Sequence, residues 1–133
     1  MNSLQTVQTF LDHIFQGRMP QALELVAPDA VFIPSRPEPS DRVPLYGTQH
    51  GPDGAARVFT TFANVLQPQK FDIHASIDQG EHAVLYGQLH HQSLQTGRPF
   101  ISDWALICKV HHGRISYYHF YEDTAALEHA LGG

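Results

Sequence analysis

The chain has 133 residues, 42% of them hydrophobic, and a formal charge of −5 with histidine neutral. That length predicts one domain, residues 1–133, with enough apolar residues to fill a core. The charge argues against a nucleic-acid partner, and no polybasic patch or long apolar span points to a membrane.

Cys108 is the one cysteine, so neither an internal disulfide nor a CxxC metal motif is available. It sits in the apolar run WALICKV and reads as a buried small hydrophobe. The start, MNSLQTVQTF, has no basic region and no long apolar stretch, which makes the cytoplasm the expected location. Ten histidines outnumber the eight lysines and arginines. Surface charge therefore changes strongly as pH falls below neutrality.

Residues 3–16 predict a helix, with Leu4, Val7, Phe10, Leu11, Ile14 and Phe15 on one face, Ser3 as N-cap and Gly17 as stop. Pro20 suits the first turn of a short helix, PQALELV, and Asp29 leads into a strand, AVFI. The segment PSRPEPSDRVP, residues 34–44, has four prolines, which forbid a helix and discourage a central strand. It reads as a surface loop, with a lid or pocket rim as the functional alternative. Gly51 and Pro52 open a third helix with Val58, Phe59, Phe62 and Leu66 inward. Four β-type runs follow, near 71–78, 82–93, 99–110 and 114–122, separated by QGE, LQTG and HHG. Such spacing predicts an antiparallel meander. TAALEHAL closes the chain as a short helix, with Asp123 or Thr124 at its N-cap. Helices gathered on the concave face of a curved antiparallel sheet make an α+β fold.

Three stretches, QGRMPQALELVAPDAVFI, YGTQHGPDGAARVFTTF and HHGRISYYHFYEDTAAL, resemble the SnoaL-like and ketosteroid-isomerase-like proteins of the nuclear transport factor 2-like superfamily. The resemblance covers nearly the whole chain. It implies a cone-shaped sheet, a homodimer, and an apolar pocket at the wide end for a small organic molecule. The fold hosts enzymes and non-catalytic binders, so it does not by itself name a reaction.

Aligned to the isomerases, Tyr118, Phe120 and Glu122 face the pocket, and Tyr117, His119 and Tyr121 face away. The same alignment turns Asp103, Ala105 and Ile107 inward. An acid in such an apolar strand needs a partner or a shifted pKa, which makes Asp103 the candidate proton-transfer residue. A solvated Asp at the cone's rim is the bland alternative. Trp104 then has outward parity, where it could anchor a dimer, unless a bulge beside Asp103 turns it inward. Tyr46 and His50 are candidate rim residues.

The isomerases' carboxylate base and two oxyanion donors fall by alignment on Pro34, Phe10 and Ala105, none of which can act so. The Asp–Arg–Asp set of limonene-type epoxide hydrolases also looks absent. SnoaL-like cyclases close a ring by an intramolecular aldol step, which needs acid–base groups and no metal or cofactor. His90 and His91, as strand neighbours, point to opposite faces and cannot share one metal. The sequence therefore points to a small-molecule-binding cone with cofactor-free cyclase- or isomerase-like chemistry. A non-catalytic binder or accessory protein of the same fold is the alternative.

Overall fold

The computed structural model describes all 133 residues. Helix α1 runs Ser3–Phe15 and α2 Met19–Leu23, followed by β1, Val26–Pro34. The Pro-rich stretch is irregular up to a two-residue strand, β2, Gln49–His50, which opens α3, Gly51–Val65. Then come β3 (Leu66–Gln79), β4 (His82–Ser93), β5 (Pro99–His111), β6 (Arg114–Glu122) and α4 (Thr124–Ala130). The strands form one curved, open sheet in the order β2-β1-β6-β5-β4-β3. Strands β3 to β6 are the expected meander, and β1 adds in parallel beside β6. No helix is long and apolar enough to cross a membrane.

Local chemistry explains the elements. The N-cap of α1 is Asn2 rather than Ser3, because Asn2 and Gln5 form a reciprocal capping box, with Gln5 N–H donating to Asn2 Oδ1 at 2.8 Å and Asn2 N–H to Gln5 Oε1 at 3.0 Å. Ser3 instead donates to the Gly80 carbonyl at 2.7 Å and ties the helix to the β3–β4 turn. Gly17 has φ +74° just past the C-cap Gln16, the left-handed position that ends many helices. Asp123 accepts from Ala126 N–H at 3.1 Å and caps α4 as expected.

The apolar stripes of α1 and α3 lie on the inner face of the sheet. Phe10 sits at the centre, with ring centroids 5.9 Å from Phe32, 5.7 Å from Phe59 and 6.1 Å from Tyr118. Tyr118 stacks on Phe32 at 4.6 Å. This cluster fills the narrow part of the cone.

The long edge strand β3 is irregular where it pairs with β4. β3 starts five residues earlier than expected, at Leu66, and is bulged between Pro68 and Lys70 and between Ile73 and Ala75. The second irregularity lies against Gly87, where an added Cβ would come within 1.8 Å of the Asp72 carbonyl oxygen. Only a residue without a side chain lets the two backbones approach so closely. Gly87→Ala should therefore lower stability by about 2 kcal/mol or more, through the strain of forcing β3 away. Urea denaturation checks this; a midpoint unchanged from wild type would contradict the close approach.

Candidate functional site

The hairpin of β5 and β6 decides which side chains enter the cone. His111 pairs with Arg114 and Val110 with Ile115, but the next pair is Lys109 with Tyr117. One extra residue, Ser116, is inserted in β6, and everything beyond it slides by one position. Cys108 thus lies opposite Tyr118, Leu106 opposite Phe120, and Trp104 opposite Glu122. Residues paired across a sheet share a face. Without the insertion, Ile107, Ala105 and Asp103 would oppose Tyr118, Phe120 and Glu122. A one-residue slip exchanges the faces of a whole strand.

Two expectations are corrected. Asp103 lies on the outer face and is exposed, outside the interior cluster. Trp104 points inward and is 3% exposed. Trp104 faces inward by the unbroken alternation of β5, and the bulge lies in β6, far from Asp103 along the strand. Tyr118, Phe120 and Glu122 do share the inner face.

At the wide end the inner face carries a stack of rings. Trp104 lies 4.5 Å from Phe71 at 15° and 5.4 Å from Phe120 at 17°. His91 stacks beyond Phe71 at 6.5 Å and meets the edge of Phe62 at 5.4 Å. The exposed ring of Phe15, at the end of α1, closes on Phe71 at 5.3 Å. Within this stack the indole Nε1–H of Trp104 is buried with no hydrogen-bond partner, alone among the buried side-chain polar atoms. A buried donor left unpaired costs about 1–3 kcal/mol, and such groups are rare in native proteins.

Directly across from Trp104 sits Glu122. Burial pushes its carboxyl up to about 7 from 4.5, and a hydrogen bond from Ser35 Oγ at 2.8 Å to Oε2 opposes that rise in part. No cation pairs with it, since the ion pairs of the chain lie elsewhere. Burial raises the Tyr118 hydroxyl well above its usual value, with smaller contributions from Cys108 and Glu122, so it stays protonated. Burial lowers His91, against the pull of its Nδ1 contact with the His90 carbonyl at 3.1 Å. A carbonyl can only accept, so Nδ1 carries the proton and Nε2 is left as an acceptor. The interior thus offers a free donor, a neutral imidazole and a carboxyl that exchanges its proton near neutrality. That set suits proton transfer at a carbonyl.

Tyr46 and His50 do not join this cluster. Tyr46 is buried at the foot of the Pro-rich loop, and its hydroxyl donates to Glu128 Oε2 at 2.8 Å. Burial, then that bond, raise its pKa. It lines a cleft of about 470 Å³ between the loop and α4, with Arg36 and Arg42 among its walls. His50 is exposed at the start of α3.

Sequence reasoning missed Ser35 and Phe71. Ser35 is a small polar residue in a proline-rich loop, and nothing local marks it. Phe71 opens a β-type run, but two bulges break the alternation that would have assigned its face.

The Glu122 proton is linked to stability. The carboxyl titrates at 4.5 when unfolded and about 7 when folded. Its contribution is therefore full below the unfolded value and is lost as pH rises through the folded one. Allowing for partial exposure, the loss is on the order of 2 kcal/mol. Glu122→Gln should remove this slope and be more stable than wild type above about pH 7.5. Equal pH dependence of the two proteins in chemical denaturation would show that Glu122 titrates normally.

The sequence profile of the SnoaL-like domain matches residues 7–118. No curated protein matches the chain. Among solved structures, a nuclear transport factor 2-like protein from Burkholderia xenovorans LB400 superposes with a TM-score of 0.87 at 24% identity, over 98% of this chain and 95% of that one. TerC, co-crystallised with polyporic acid, gives 0.82 at 19% identity, over 98% of both chains. A protein of Pseudomonas putida KT2440 named as a candidate polyketide cyclase gives 0.79 at 16% identity, again over 98% of both. At these identities the structures establish the shared cone fold. The profile match, spanning most of the sequence, establishes the family: the chain belongs to the SnoaL-like domain family.

Proposed function

We propose that the wide end of the cone binds a flat, largely apolar small molecule bearing a carbonyl or enol oxygen, and that Glu122 exchanges a proton with it. The observation that carries this reading is the unpaired indole N–H of Trp104 opposite a carboxyl titrating at about 7. The donor would hold the ligand's oxygen. Glu122, half deprotonated near neutrality, would serve as base or acid in a cyclase- or isomerase-like step without a cofactor. Trp104 and Phe120 would supply the stacking surface, and Phe71 is the ring that an entering ligand displaces. Asp103, exposed on the opposite face, has no part in this reading.

A second reading is a non-catalytic binder of the same class of ligand. It is favoured by the hydrogen bonding around Glu122, where Ser35 is the one side-chain partner and no second acid or base pairs with it. TerC, with polyporic acid in its crystal, supports a planar ligand for either reading. The outer face carries Ile77, Tyr86, Ile101 and Tyr121, each 42–53% exposed, and we propose that a second copy covers it.

Trp104 is the single tryptophan, so its fluorescence reports the pocket alone. Polyporic acid and a set of polycyclic ketones should quench it saturably. Trp104→Phe keeps the ring and removes the donor, and should weaken binding about 5–10-fold, the worth of one neutral hydrogen bond, measured calorimetrically. No binding by any of these probes at millimolar concentration would sink the proposal. Under the enzymatic reading, turnover of a ketone probe bends near pH 7 and disappears in Glu122→Gln. Under the binding reading, that variant binds as wild type and neither protein turns over.

A further inference from the structure

Ser35 has an unusual backbone. It follows β1 with φ +72°, a value that L side chains rarely adopt. Arg36 N–H donates to the Pro34 carbonyl at 3.0 Å, so Ser35 is the central residue of a γ-turn, and a γ-turn with positive φ is rare and strained. Strain of this kind persists only where the surroundings impose it.

Those surroundings are visible. Ser35 N–H donates to the Phe120 carbonyl at 2.9 Å, which fixes the turn to β6. His119 Nε2 lies 3.2 Å from the Ser35 carbonyl oxygen. A carbonyl cannot donate, so Nε2 carries the proton, and the bare Nδ1 accepts from the Tyr117 hydroxyl at 3.0 Å. His119 has the outer-face parity of β6, yet it is 9% exposed, packed flat on Tyr121 at 3.8 Å. The Ser35 carbonyl therefore meets the outer face while its hydroxyl, through the turn, reaches Glu122 inside at 2.8 Å.

We infer that His119 is a positioning residue: from the outer face of the sheet, with its tautomer set by the Ser35 carbonyl, it holds the Ser35 turn so that the Ser35 hydroxyl donates to Glu122 within the cone. The assignment rests on Glu122 as the carboxyl of the site. His119 never touches the ligand. Its effect passes through one strained residue and ends on one hydrogen bond. Other groups near Glu122 are few. Tyr118 shares its face of β6, Trp104 opposes it from β5, Asp103 points to the other face, and Asp123 is engaged in capping α4.

The test reads Glu122 directly, by 13C NMR titration of its side-chain carboxyl, with Glu122→Gln to assign the signal. Ser35→Ala removes the hydrogen bond that favours the charged form, and should raise the midpoint by about 1 pH unit. Ser35→Gly should do the same, because glycine accepts the positive φ and folding is spared. His119→Phe keeps the ring packed on Tyr121 but loses both nitrogens. It should raise the midpoint in the same direction, and the double variant with Ser35→Ala should add nothing further. His119→Gln, which restores an N–H donor, should return the midpoint towards wild type. A wild-type midpoint in His119→Phe alongside a shifted one in Ser35→Ala overturns the inference, as does simple additivity of the two. The titration needs no ligand. If the midpoints move as described while Trp104 fluorescence responds to no ligand, the functional reading fails and the positioning role stands.

Discussion

A single inserted residue in β6 governs the interior of this cone. Ser116 slides the strand by one pairing, and with it the identity of every side chain that β6 sends inward beyond Ile115. It sets Tyr118, Phe120 and Glu122 against a buried β5 wall of Phe100, Ser102, Trp104, Leu106 and Cys108, whose outer face carries Asp103. Loss of that insertion would turn Tyr117, His119 and Tyr121 inward and carry Tyr118, Phe120 and Glu122 to the outer face. The register is held because an apolar strand cannot exchange its faces without exposing its core.

Much of the fold was legible in the sequence. The apolar periodicity of residues 3–16 and 51–66 and the turn residues QGE, LQTG and HHG placed two helices and the four-stranded meander within a few residues. Strand parity grouped Tyr118, Phe120 and Glu122, and the resemblance to the isomerases put that set inward. The face of β5 was misassigned: the alignment to the isomerases put Asp103, Ala105 and Ile107 inward, whereas the bulkier apolar set Phe100, Trp104, Leu106, Cys108 and Val110 takes that face. Distant alignment overrode an alternation that the strand itself carries. The site was legible in the same measure. Glu122 could be found by alternation along one strand, whereas Ser35 and Phe71 enter through a proline-rich turn and a doubly bulged strand, where alternation fails.

Burial and connection divide the interior into two zones. The narrow zone, around Phe10, Phe32 and Tyr118, is closed packing of aromatic rings. The wide zone has the same kind of walls but unequal satisfaction of its polar atoms: one donor has no partner and one acid has a single neutral one. Low polarity is what makes both groups consequential. It lifts the carboxyl into the range of cellular pH and makes an unpaired N–H costly enough to favour any ligand that completes it. The Pro-rich loop reaches this zone through Ser35, which bonds to Glu122. The remainder is tied down elsewhere through Tyr46 and Glu128.

Phe71 occupies the face of Trp104 that a flat ligand would use. Entry of such a molecule is then an exchange of one ring for another rather than the filling of an empty space. The apolar area of the indole is already dehydrated before binding, and the displaced phenyl ring is returned to solvent unless Phe15 moves with it. Association should therefore carry a smaller negative heat-capacity change than the ligand's own apolar area implies. The favourable enthalpy would come largely from the hydrogen bond that the indole lacks beforehand. In thermodynamic terms, the cone would select its guests by what they offer to Trp104 more than by their size.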